Sequence, residues 1–183
     1  DQQRDQIHMQ VLGDQAVQMQ AVETGLADAA ALDGVYSKNL RQKGFTLLGE
    51  YSALTQRIIS QAMVVPQSFL AQRSDIVENY LKAEIEALAF SLAPKNKPVV
   101  IKTLMRKLKV DANNAEEAYQ DLFDRKPFPS LDGLRNVQRL LKTRNPKIGE
   151  IKTENVIDAR IMRKLDESGF IDRAYAVQGV IFK

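Results

Sequence analysis

Two short loops in the first third of the sequence carry residue types suited to binding a small polar ligand. Gly13 and Asp14 form the first loop, and residues 33–36 form the second. Each loop precedes a segment with a helical pattern, and the first residues of a helix present free backbone N–H groups. In open parallel α/β sheets, ligands collect at the carboxyl ends of strands, where such helices begin. The loops therefore predict one cleft, with Asp33 and Tyr36 as its leading residues, although glycine and aspartate also favour turns that bind nothing.

Few residues are available for catalysis or metal binding. The sequence contains no cysteine and a single histidine, His8, which excludes disulfides, thiolate metal sites and thiol nucleophiles and argues against a Ser-His-Asp triad. Four acids near the C-terminus could supply a general acid and base, but helix capping and exposed charge explain them better. We therefore predict no catalytic residue, no metal and no cofactor. The four acids are Asp158, Asp166, Glu167 and Asp172.

The net charge of +3 is mildly basic, and its densest cluster lies in residues 95–109. This run contains no acid, so phosphate binding is one interpretation. Apolar residues occupy the opposite side of the same predicted helix, and no aromatic residues alternate with the basic ones, as single-strand binding would favour. A solvated helix face explains the run better, and we predict no nucleic-acid partner. The basic residues are Lys95, Lys97, Lys102, Arg106, Lys107 and Lys109.

The elements that must position the two loops alternate between strand and helix patterns. Period-2 alternation and short apolar runs predict four strands, at residues 6–12, 27–32, 45–51 and 58–65. Helical patterns lie between the first three, at residues 15–24 and 35–42. This order predicts an α/β fold with a largely parallel sheet. The second half is predicted to be mostly helical, starting with a long helix whose inward stripe is Val77, Leu81, Ile85, Leu88 and Leu92.

Several segments resemble the solute-binding proteins of ABC importers, in particular the nitrate, sulfonate, taurine and thiamine-precursor group. Residues 11–33 resemble a helix and strand of that family's second lobe, with a pattern of the form ALxxGxxDAAxL before a cleft loop, and residues 44–48 resemble its next strand. Residues 126–133, KPFPSLDG, are similar to the family's KPYPSLEG segment. Residues 155–158 and 165–172, NVID and LDESGFID, are similar to its C-terminal signature, the most specific part of the resemblance.

The resemblance implies a partial periplasmic-binding-protein fold of the second topological type. This α/β fold has two lobes with parallel-rich sheets and flanking helices, and here a helix-rich C-terminal half. Residues 1–57 would be the remainder of lobe two, and residues 58–183 the return to lobe one with its C-terminal helices. A first lobe would precede this segment. In isolation, the segment is expected to form homo-oligomers through its unpaired strands.

The resemblance also implies where a ligand binds. The family places ligand contacts in the loop after the DAA strand, which corresponds to residues 32–36 here. At two of these positions the chain has leucine and glycine, where many members have tryptophan and proline. An acid beside the ligand favours a cationic or hydrogen-bond-donating group and disfavours a bare anion. The candidate ligand residues, from the strongest loop to the weakest, are Asp33, Tyr36, Gly13, Asp14, Ser60 and Gln61.

The function implied by the resemblance is transport without chemistry. The protein is expected to bind a small polar molecule between two lobes, outside the cytoplasm, and to deliver it to the membrane permease of an ABC importer. Two other functions on the same fold stay open. One is an enzyme similar to thiamine-precursor synthases, whose chemistry would require more histidines than the single one in this sequence. The other is the effector domain of a transcriptional regulator, which would need an upstream helix-turn-helix.

Overall fold

A computed structural model of the protein describes residues 6–50, 58–59, 61–121 and 126–180. Within these ranges the longer regular elements are α-helices, joined in places by short 3₁₀ turns, and there is no strand. The 3₁₀ turns are Pro94–Asn96, Pro146–Glu150 and Thr153–Asn155. The helices are α1 (Gln15–Glu23), α2 (Gly34–Gln42), α3 (Gln67–Gln72), α4 (Ser74–Leu92), α5 (Lys97–Leu108), α6 (Ala112–Asp121), α7 (Leu131–Leu141), α8 (Arg160–Glu167) and α9 (Phe170–Val177).

The predicted α/β fold with parallel sheets is therefore wrong for the described residues. No described residue of the four predicted strands lies in a strand, and several of their apolar side chains are largely exposed: Met9 is 84% exposed, Val11 100% and Val64 86%. A strand is stabilised by pairing with neighbours and by burying one face, and neither happens here. Homo-oligomers were expected to form through unpaired strands. Because the described residues form no strand, nothing in this part of the chain supports that expectation. Residues 51–57 and 60 of the predicted strands lie outside the described ranges.

The chain divides into two compact units, each made from two separate stretches. Unit 1 comprises Asp1–Gly49 with Pro98–Leu122, and unit 2 comprises Glu50–Lys97 with Phe123–Lys183. The division at residue 57 into parts of two lobes stays a prediction.

In unit 1, helix α2 packs against both α1 and α6. Asn114 of α6 is fully buried, and its amide donates to Asp111 Oδ1 (3.1 Å) and to Gln42 Oε1 of α2 (3.4 Å). The side-chain oxygen of Asn114 has no hydrogen-bond partner among the described residues. The hydrogen bond from Asn114 to Gln42 helps to set how α6 packs on α2. The unsatisfied buried oxygen lowers the stability of this interface by about 1–3 kcal/mol.

Unit 2 has the larger apolar core, formed where α4, α8 and α9 meet. The inward stripe predicted for the long helix is confirmed: Val77 and Ile85 are buried, and the leucines of the stripe pack against the same core. The turn between α8 and α9 is made by Gly169, whose φ of +71° suits glycine and whose N–H donates to Asp166 O (2.8 Å). The core residues are Ile85, Ala89, Met162, Leu165, Ile171 and Tyr175.

Candidate functional site

The two loops singled out from the sequence lie side by side in unit 1. Asp14 is the N-cap of α1, where its Oδ1 accepts from Val17 N (3.0 Å). Asp33 is the N-cap of α2, and its backbone N–H donates to Gln15 Oε1 at the start of α1 (2.9 Å). A side-chain hydrogen bond thus joins the beginnings of two helices. The sequence predicted a shared cleft at strand ends, whereas the structure joins the loops through helix starts.

Tyr36 completes this cluster from the first turn of α2. Its hydroxyl donates to Leu108 O at the end of α5 (3.1 Å), which holds the half-buried ring in place. Partial burial, and then the negative charges of Asp14 and Asp33, raise the pKa of Tyr36 above its ordinary value. The hydroxyl therefore stays protonated at neutral pH and remains a hydrogen-bonding group beside two carboxylates.

The two carboxylates are not equivalent. Asp14 uses one oxygen to cap α1, whereas the side chain of Asp33 makes no capping bond to α2 and is exposed. Gly13, with a φ of +87°, turns the chain into α1, and its carbonyl accepts from Gln18 Nε2 (2.8 Å). Gly13 thus shapes the loop, and Asp33 is the group most available to a ligand. Two acids and a phenol favour a cationic or hydrogen-bond-donating group.

The third predicted loop is assigned to the other unit. Gln61 is an exposed residue of an irregular segment assigned to unit 2. Ser60 lies outside the described residues.

Two of the four C-terminal acids, Asp158 and Asp166, take part in ion pairs. Asp158 accepts from the backbone N–H of Arg160 (2.9 Å) and pairs with its guanidinium (2.6 Å), and these contacts lower the pKa of Asp158. Asp166 pairs with Lys126 Nζ (2.8 Å). Over the described ranges, no group of three or more His, Cys, Asp or Glu residues could hold a metal ion.

A cleft of about 390 Å³ in unit 2 was not anticipated from the sequence. On its rim, Glu78 accepts from both Lys82 (2.7 Å) and Lys164 (2.6 Å), which lowers the pKa of Glu78 to about 2. The i,i+4 spacing of Glu78 and Lys82 was visible in the sequence, but the approach of Lys164 from another helix was not. Asp158 and Arg160, which also line the cleft, form an ion pair with each other. The acidic and basic side chains of the cleft are therefore paired, and the cleft presents no net charge to a ligand.

The Glu78 cluster predicts a specific acid sensitivity. Because its folded pKa of about 2 lies below the ordinary 4.5, the charged form stabilises the fold above the ordinary pKa, and this is lost as the pH falls toward 2. We expect Glu78→Gln to flatten the pH dependence of the melting temperature across this window. Glu86→Gln, on the same helix outside the cluster, is the control. Parallel pH curves for wild type and Glu78→Gln would show that the cluster adds no stability.

Two of the segments that resemble the solute-binding proteins, both in the C-terminal half of the chain, meet within unit 2. Lys126 of the KPFPSLDG segment forms its ion pair with Asp166 of the LDESGFID segment. Ser130 of the same segment caps α7 by accepting from Gly133 N (3.0 Å), and Gly133 is buried. The two motifs, whose paired residues Lys126 and Asp166 are 40 positions apart, thus belong to one structural unit.

No protein family, curated protein or solved structure matches this chain. None of the described helices is long and apolar enough to span a bilayer.

Proposed function

We propose that this chain is the solute-binding component of an ABC importer, or part of one, and that it passes a small polar solute to a membrane permease unchanged. The observation that carries the proposal is the joining of the two predicted loops by the bond from Asp33 N to Gln15 Oε1. That bond gathers Asp14, Asp33 and the Tyr36 hydroxyl at one place. The ordered resemblance of the remaining segments, two of which meet in the Lys126–Asp166 pair, gives independent support.

The proposed solute carries an amine or another strong hydrogen-bond donor. The exposed Asp33 carboxylate accepts from this group, and the Tyr36 hydroxyl provides a second polar contact. Binding takes place outside the cytoplasm, and the protein uses neither a cofactor nor nucleic acid. No observation in the described ranges favours the synthase-like enzyme or the regulator's effector domain.

Solute binding is tested by screening this chain against small amines, guanidines, sugars and carboxylates with thermal shift, followed by calorimetry on any hit. We expect amine-bearing solutes to bind. Asp33→Ala and Tyr36→Phe should each lower their affinity by about 1–3 kcal/mol, because each removes one polar contact. Asp28→Asn changes another exposed acid of unit 1 outside the cluster and should bind as wild type does.

Two outcomes would contradict the proposal in different ways. Unchanged affinity in Asp33→Ala and Tyr36→Phe would show that the solute binds elsewhere on the chain, but would not contradict solute binding itself. If none of the solutes shifted the melting temperature, the proposal that this chain binds a solute would be contradicted. Circular dichroism of each variant separates loss of the site from loss of the fold.

A further inference from the structure

The longest helix, α4, has a second apolar face besides the one that packs into the core of unit 2. Ile76, Tyr80 and Phe90 are 38%, 54% and 43% exposed, and Ala83 and Ala87 lie exposed between them. Their spacing of four, three, four and three residues places all five within an arc of about 80° on the helix. We call these five residues the outer stripe. Its spacing is that of the seam of a two-helix coiled coil.

Carboxylates border the outer stripe on both sides. On the helical wheel, Glu84 lies along one edge and Glu86 along the other. Neither has an ion-pair partner in the part of the chain that the structure describes. The nearest basic residue of the helix, Lys82, is turned to Glu78 (2.7 Å). The stripe is therefore an apolar seam with negative edges.

We propose that the outer stripe binds an amphipathic helix of a partner protein whose own apolar seam is bordered by lysine or arginine. The two alanines at the middle of the stripe allow a second helix to approach closely, to an axial distance of about 8 Å. The aromatic side chains of Tyr80 and Phe90 supply large contact areas on either side of the alanines. The stripe is about 21 Å long, which matches two heptads.

The charges at its edges argue against two other occupants. In an antiparallel pair of α4 helices from two copies of this chain, Glu84 would face Glu84 and Glu86 would face Glu86, and like charges at such positions repel. Helices that lie on membranes carry basic residues beside the apolar face, and these attract anionic lipids. The acidic edges of the outer stripe would be repelled by the same surface.

Two synthetic peptides test the proposal. Both carry leucine at heptad positions a and d; one has lysine and the other has glutamate at positions e and g, which discourages each peptide from pairing with itself. Binding to the 183-residue chain is followed by fluorescence anisotropy of the labelled peptide. We expect the lysine peptide to bind at least about tenfold more tightly than the glutamate peptide, and Tyr80→Ala to weaken it by a similar factor. Leu140→Ala, at an exposed position of α7, should change nothing.

Charge reversal at the edges of the outer stripe distinguishes specific docking from non-specific hydrophobic binding. The double variant Glu84→Lys, Glu86→Lys should reverse the preference and bind the glutamate peptide more tightly. Equal binding of both peptides, or a preference that survives the reversal, would overturn the proposal. So would a wild-type dimer in sedimentation equilibrium that Tyr80→Ala converts to a monomer, because a second copy would then be the occupant. Preferential binding of the wild type to anionic vesicles, lost in Tyr80→Ala, would also overturn it.

Discussion

Ile171→Ala should lower the free energy of unfolding of unit 2 by about 2–5 kcal/mol. Ile171 is fully buried in the core formed by α4, α8 and α9. Shortening it removes apolar contacts and leaves a cavity that tightly packed neighbours cannot fill. Urea unfolding followed by far-UV circular dichroism measures the change, which should appear as a lower midpoint at an unchanged slope.

The matched control for this substitution lies on the same helix. Val177 of α9 is also β-branched but is 79% exposed, so Val177→Ala should alter stability by no more than about 0.5 kcal/mol. If the two substitutions had equal effects, α9 would not use the face that the structure assigns to the core.

Gly133→Leu should destabilise unit 2 by about 1–3 kcal/mol, through crowding rather than through a cavity. A Cβ atom at Gly133 would lie 3.0 Å from Ile59 Cγ1, 3.1 Å from Ile59 N and 3.2 Å from Ser130 Oγ. The Ile59 side chain could turn away, but its backbone nitrogen and the capping hydroxyl of Ser130 have less freedom. The better helix propensity of leucine offsets only part of this cost.

Gly149→Leu provides the comparison, because a Cβ atom there would meet Lys142 at an ordinary contact distance of 3.6 Å. Both variants are compared with wild type by urea unfolding. A Gly133→Leu protein as stable as wild type would mean that the segment at Ile59 does not pack on α7.

The helices of unit 2 were predictable because their signals are local. The stripe containing Val77 and Ile85 has a period that only a helix satisfies, and the end of α8 was marked by the Ser168-Gly169 pair. The outer stripe has the same period and was missed, because the inward stripe alone already accounted for the helix. A helix with two apolar faces becomes evident only when one face is seen to be covered and the other exposed.

The strands were wrongly predicted for a different reason. Alternation of Ile7, Met9 and Val11 shows which side chains would share a face of a strand, but it contains no information on whether a neighbouring strand is present. The candidate site was predictable in part. The turn residues Gly13 and Asp33 marked two helix starts, but the hydrogen bond from Asp33 to Gln15 is a tertiary contact that no local pattern contains.

The division of each unit into two stretches sets the order in which the protein folds during synthesis. When residues 1–49 leave the ribosome, α1 and α2 still lack α5 and α6, which belong to the same unit. The bonds from Tyr36 to Leu108 and from Asn114 to Gln42 each span 72 residues, so unit 1 closes only after α3 and α4 have been made. Domains made from one continuous stretch fold as they emerge. Here both units wait for distant sequence, so in a ribosome-bound nascent chain unit 1 stays protease-sensitive until its second stretch has been translated, and unit 2 stays so for longer, until its own second stretch follows.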